Sequence, residues 1–147
     1  MDTITDKIYI TQSDVSALTQ NVYDRLLKKE PPITKIVGIA NGGLNVSIPL
    51  SKMFDLPHQQ LRISFYEGDF IFDKQTFTHD DNDVVLLVDD LIDSGKTIKY
   101  FCEKYNMCQG KDLFVACLYY KFDNDHFQYA NFYAEEKPDG WVHFPWE

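Results

Sequence analysis

Nine consecutive residues carry most of the chemistry this chain offers: Asp89-Asp90-Leu91-Ile92-Asp93-Ser94-Gly95-Lys96-Thr97, directly after the apolar run Val84-Val85-Leu86-Leu87-Val88. Three carboxylates crowd one strand end, and a small-residue turn and a helix start follow. The turn offers hydroxyls, a glycine and backbone N–H groups at the positive end of a helix, which suits a phosphate. The carboxylates suit Mg²⁺ or the vicinal hydroxyls of a sugar. A phosphate nest beside a diol or metal clamp reads as a ribose-phosphate site. The plain alternative is a solvated acidic turn with a helix cap. Three familiar motifs do not fit. A Walker A loop needs glycine at position 90, where Asp stands. An aspartyl-phosphate phosphatase needs Asp-x-Asp after the strand, but the order is Asp-Asp-Leu. A dinucleotide fingerprint needs three spaced glycines after the first strand, and Asn41-Gly42-Gly43 does not supply them.

Those residues need a sheet to hold them. The run Val84–Val88 is apolar without alternation, the pattern of a strand buried on both faces, hence a parallel sheet. Lys35–Ile39, Gln59–Phe65, Leu113–Tyr119 and Phe132–Ala134 read as further strands. Thr11-Gln12-Ser13-Asp14 can cap a helix carrying Val15, Leu18, Val22 and Leu26 at helical spacing, ended by Pro31-Pro32. Leu44–Phe54, with Pro49 inside it, and Thr97–Tyr105 read as two more helices. Residues 66–80 read as a hairpin or mobile loop. The alternation of elements predicts a doubly wound, mainly parallel α/β fold in a single domain over residues 1–147. Ligands of such sheets bind beyond the carboxyl ends of the strands.

The stretch Val84–Thr97 resembles, at nearly every position, the phosphoribosyl pyrophosphate (PRPP) motif of the type I phosphoribosyltransferases. Ile39-Ala40-Asn41-Gly42-Gly43-Leu44 resembles that family's pyrophosphate loop, and Ile63-Ser64-Phe65-Tyr66 the entry to its flexible catalytic loop. Trp141-Val142-His143-Phe144-Pro145-Trp146-Glu147 resembles the C-terminal hood of its xanthine-guanine branch. The resemblance spans residues 35–147 in the right order. It implies a small hood over roughly residues 121–147 and transfer of phosphoribosyl from PRPP to a 6-oxopurine base, releasing pyrophosphate.

The resemblance also implies roles. Asp89 and Asp90 would hold the ribose hydroxyls, with Asp90 the metal-linked one and Mg²⁺ the cofactor. Ser94, Gly95, Lys96 and Thr97 would cradle the 5′-phosphate, although Lys96 reads equally as a solvated side chain. Asp93 would handle the proton on the imidazole ring of the base; its plain reading is a helix cap. Asn41, Gly42 and Gly43 would turn N–H groups toward the pyrophosphate, though relatives often carry a cation where Asn41 stands. Lys121 would donate to the exocyclic oxygen of the purine, Trp141 would stack on it, and the Val142 backbone would meet its pyrimidine edge. A strand-end lysine and a core tryptophan are the alternatives. Ser64 and Tyr66 would belong to the mobile loop, with Lys74 standing in for its cation because Phe72 falls where one is expected. Trp146 reads as packing. Two other functions remain open: a PRPP-binding regulator without catalysis, and a phosphoribosyltransferase for a different base.

Composition bounds the rest. The chain has 147 residues, 44% hydrophobic and 25% charged, with a net charge of −9. A chain of this size buries about 68–70% of its unfolded surface, enough for a real core. Disordered and collagen-like classes are excluded. The acidic balance leaves little for a nucleic-acid-binding face. No apolar run reaches the ~18 residues of a membrane span, and Met1–Asp6 lacks the apolar core of a signal peptide. Cys102, Cys108 and Cys117 show no metal spacing and read as reduced thiols, hence a cytoplasmic protein. His58, His79, His126 and His143 form no metal spacing either. The expected partners are PRPP, a purine base and further copies of the chain, in a homodimer or homotetramer.

Overall fold

The computed structural model describes residues 7–66, 68–72, 77–78, 80–122 and 128–147. The elements run in the order β1 (Lys7–Tyr9), α1 (Gln12–Lys29), β2 (Lys35–Ala40), α2 (Leu44–Phe54), β3 (His58–Tyr66), β4 (Asp69–Phe72), β5 (Val85–Val88), β6 (Leu91–Ile92), α3 (Lys96–Tyr105), β7 (Leu113–Tyr120), β8 (Phe132–Glu136) and β9 (Trp141–His143). Thr11 caps α1 as expected. Its hydroxyl accepts from the Asp14 N–H at 3.0 Å, and the Asp14 carboxylate accepts from the Thr11 N–H at 2.9 Å. Glu30, in the left-handed region, ends the helix one residue before Pro31. Pro49 stays inside α2.

The main sheet has the order β4-β3-β2-β5-β7, and all of these strands run parallel except β4. β6 continues β5 along the same edge of β7 with the register unchanged, and β8 lies parallel on the other edge of β7. Alternate residues of the central strands face opposite sides. Ile36, Leu86, Val88, Ala116 and Leu118 join the core under α1 and α2. Val37, Val85, Leu87, Val115 and Cys117 join the core under α3. This double burial is why Val84–Val88 carries no polar alternation.

Two features depart from the sequence reading. β1 pairs with β9 in a separate two-stranded parallel ribbon, with Ile8 opposite Val142. Neither element was expected, because three-residue strands leave no periodicity to read. The hood is also smaller than residues 121–147, since Phe132–Glu136 belongs to the main sheet. Within residues 66–80, Asp69–Phe72 is a strand of a hairpin with β3. All three cysteines are free thiols.

One buried polar contact ties α2 to the edge of the sheet. The Ser47 hydroxyl, itself buried, lies 2.8 Å from His58 Nε2. Burial pulls the His58 pKa below its usual value. A base held down in the folded state takes up its proton on unfolding. Stability is therefore full above the unfolded value, about pH 6.5, and is lost as the pH falls below it. Urea unfolding at about pH 7.5 and about pH 5.5 should give a smaller unfolding free energy at the lower pH, and His58→Gln should shrink that difference.

Candidate active site

The nine-residue motif lies where β5 passes into β6 and then into α3. The sheet does not break at the two acids. The Asp89 N–H donates to the Ala116 carbonyl at 3.1 Å, and the Asp90 carbonyl accepts from Leu118 and Tyr119. Their side chains are fixed by the chain itself: Asp89 Oδ1 accepts from the Asp90 N–H at 2.8 Å, and Asp90 Oδ1 from the Leu91 N–H at 2.7 Å. Burial pushes the Asp89 carboxyl well above the usual carboxylate range, and the Asp90 carboxylate beside it adds to the effect. Burial also raises the thiol of Cys117, and the charge of Asp89 adds to that. Among the described residues neither Asp89 nor Asp90 has an ion-pair partner.

Ser94 and Gly95 turn the chain into α3. Gly95 sits at φ +76°, a left-handed angle that favours glycine, and the ring of Tyr129 occupies the space where a side chain would go. Gly95 itself caps nothing, and the Lys96 N–H donates to Ser94 Oγ at 3.4 Å, so the next N–H groups of the first turn are the ones left for an anion. Asp89, Asp93 and Ser94 to Thr97 line a cavity of about 200 Å³. A larger groove of about 960 Å³ lies between α1 and the starts of β7 and β8, lined by Arg25, Phe114 and Tyr133 among others. It contains none of the motif.

The turn after β2 closes over the same place. The Ala40–Asn41 peptide is cis. Neither the Asn41 nor the Gly42 N–H donates to a backbone carbonyl among the described residues. Gly42 faces the Asp90 carboxylate, which fills the space a Cβ would need. A Cβ on Gly43 would meet the carbonyls of Ile39 at 2.5 Å and Val88 at 2.7 Å. Gly43, with backbone on both sides, is required for the two loops to touch, and at Gly42 a Cβ would have to displace the Asp90 carboxylate.

Beyond β7, the Lys121 N–H donates to the Ile92 carbonyl at 2.9 Å, and its Nζ lies 3.4 Å from Asp93 Oδ1. The Lys137 N–H donates to the Tyr120 carbonyl at 2.8 Å, setting the start of the hood beside Lys121. The structure thus brings Asn41–Gly43, Asp89, Asp90, Asp93–Thr97 and Lys121 to adjoining strand ends. Trp141 and Val142 lie apart on β9. The Val142 side chain is buried in the core, and the Trp141 indole, 59% exposed, lies 6.1 Å from the His143 ring. Ser64 and Tyr66 lie in β3 opposite Ile71 and Asp69, and Lys74 falls outside the described residues. The sequence reading missed Tyr129 and left Trp146 as packing. Both reach the site from distant positions that no local spacing marks.

The model of the phosphoribosyl transferase domain family matches residues 5–147. The chain belongs to that family. This phosphoribosyltransferase is 27% identical to a purine phosphoribosyltransferase from Pyrococcus horikoshii, covering 96% of this chain and 94% of the other with a TM-score of 0.81. It is 24% identical to a xanthine-guanine phosphoribosyltransferase from Idiomarina loihiensis, over 96% of this chain and 87% of that protein. The fold is also that of the Helicobacter pylori xanthine-guanine-hypoxanthine phosphoribosyltransferase, at 18% identity, with coverage of 97% and 94% and a TM-score of 0.75. Among the described residues of this phosphoribosyltransferase no helix is long and apolar enough to cross a membrane. In Gly43→Ala the added methyl has no free space. It should lower the unfolding free energy by about 1–3 kcal/mol, measured by urea denaturation.

Proposed function

We propose that the protein transfers the phosphoribosyl group of PRPP to a 6-oxopurine, giving a nucleoside monophosphate and pyrophosphate. One observation carries this reading: the glycine-turned N-terminus of α3, a carboxylate pair and the Lys121–Asp93 pair lie on adjoining strand ends. In it the turn Ser94–Thr97 holds the 5′-phosphate through backbone N–H groups and the Thr97 hydroxyl. Asp89 and Asp90 grip the ribose hydroxyls. The outward N–H groups of Asn41 and Gly42 receive the pyrophosphate. The purine phosphoribosyltransferases among the relatives support a purine as the acceptor.

The donor set suits Mg²⁺. Among the described residues no three metal-ligating groups converge, so a site built by protein alone is not expected. Two adjacent carboxylates lacking a cation fit an ion that keeps several waters and takes its other ligands from phosphate oxygens. Asp90 would hold it, and when bound it supplies charge neutralisation for the leaving pyrophosphate. That role matters more here because Asn41 brings no charge.

On the acceptor side, Asp93, 3.4 Å from Lys121, would take the proton from one imidazole nitrogen as the other attacks the anomeric carbon. Both side chains are more than half exposed, so the pair adds little to stability. Asp93→Asn should therefore fold normally and cut turnover by about 10²–10⁴, with much less change in PRPP affinity. Equal losses of binding and turnover would reduce Asp93 to a residue that shapes the turn before α3. Lys121 has only donors to offer. It meets the oxygen of a 6-oxopurine but finds no acceptor in the amino group of adenine. Trp141 would stack on the base once the hood closes, a contact worth about 1–3 kcal/mol and blind to which purine it covers.

The test is an assay of PRPP with a panel of bases in Mg²⁺ and in EDTA, following pyrophosphate release. Guanine, xanthine or hypoxanthine should be preferred to adenine, activity should fall in EDTA, and Lys121→Ala should narrow the preference. Preference for adenine or orotate would overturn the base assignment. Asn41 favours a second reading, a PRPP-binding regulator. Tight PRPP binding with no turnover on any base would select it.

A further inference from the structure

The tail after β9 carries an aromatic stack that leads back to the ribose acids. Phe144 is buried and lies 6.1 Å from the Tyr119 ring, and Trp146 stacks flat on Phe144 at 4.8 Å with an interplanar angle of 5°. Tyr119 stands on β7, where its N–H donates to the Asp90 carbonyl. The stack thus runs from the strand beside Asp90 out to the indole. The indole edge then turns inward, since Trp146 Nε1 lies 3.2 Å from the point a Cβ on Gly42 would occupy. Asp90 Oδ2 fills the same point. A donor-only N–H and a carboxylate oxygen therefore converge on one glycine. Among the described residues Trp146 Nε1 makes no hydrogen bond, and the Leu91 N–H already takes Asp90 Oδ1. Packing explains the ring but not the inward aim of its nitrogen. A phenylalanine would make the same stack.

We propose that Trp146 is a positioning residue, whose indole N–H serves Asp90 Oδ2 and fixes that carboxylate over Gly42. With that bond made, Asp90 has both oxygens directed, one by its own strand and one by the tail. Gly42 must be glycine for the two to meet. What Asp90 does for the ligand rests on the proposed function, but the Trp146–Asp90 relation does not.

Trp146→Phe separates the two roles. It keeps the ring on Phe144 and deletes the N–H. With Mg²⁺ the KM for PRPP should rise about tenfold, the order of one hydrogen bond to a charged group, while the melting temperature and kcat stay near wild type. Unchanged KM would leave Trp146 as packing and overturn the proposal. A parallel loss of melting temperature and kcat would do the same. A second readout needs no activity. The chain has two tryptophans, so ¹⁵N-indole labelling gives two resonances, and Trp146→Phe assigns them. Asp90→Asn should shift the Trp146 indole signal and leave that of Trp141 in place. If the Trp146 signal does not move, the proposal fails. Should wild-type protein neither bind nor turn over PRPP, the functional reading fails instead, and the indole signal still decides the positioning role.

Discussion

The site depends on one constraint: two carboxylates placed in mid-strand at the centre of a parallel sheet. β5 and β6 are a single path along β7, and Asp89-Asp90 interrupt neither the ladder nor its register. Such a position would normally reject charge, since burying a carboxylate costs several kcal/mol unless it is paired. Here the backbone supplies a donor to each, Asp90 N–H to one and Leu91 N–H to the other. Those bonds meet part of the need. Burial and the neighbouring Asp90 still push the Asp89 carboxyl upward. A ligand bringing hydroxyl donors or a cation would relieve the same strain in charge.

The surrounding elements follow from that strand. It lies between β2 and β7, so both faces must be covered, and α1 with α2 on one side and α3 on the other do so. α3 starts only a few residues after the acids, which forces a tight turn through Gly95 and leaves Ser94 Oγ as the side-chain acceptor at the helix start. The turn after β2 must come within touching distance of the end of β5, and Gly42 and Gly43 are the residues that permit it. Phosphate nest, acid pair and anion-facing turn are thus consequences of one crowded strand end.

Much of this was legible in the sequence, for physical reasons that differ from element to element. Val84–Val88 was readable because double burial removes every polar residue from the run. α1 was readable from Thr11, Asp14 and the spacing of Val15, Leu18, Val22 and Leu26, and α2 from Leu44 to Phe54 despite Pro49. The acids and the turn of the site stood in one contiguous segment, and contiguity makes a motif visible. What escaped was made by distant pairing. β1 and β9 are too short to show alternation and hold each other only across the whole chain. Tyr129 over Gly95 and Trp146 toward Gly42 are side-chain contacts between remote segments, and neither residue sits in a pattern that marks it. Phe132–Ala134 was readable as a strand but fell within the expected hood, because nothing local says that it pairs with β7.

The β1–β9 ribbon has a consequence for motion. Joining Lys7–Tyr9 to Trp141–His143 closes nearly the largest loop this chain can form, and loop closure of that span carries a high entropic cost. Three residues on each side return few hydrogen bonds against it. Elements of this kind form late in folding and open first in the native state, in local excursions far cheaper than global unfolding. Ile8 and Val142 anchor the ribbon to the core, while Tyr9 and Trp141 lie largely in solvent on its outer face. Its amides should therefore exchange with solvent well before those of β5 and β7. Trp141 thus stands on a short ribbon closed across the whole chain, outside the hydrogen-bond ladder of the central sheet.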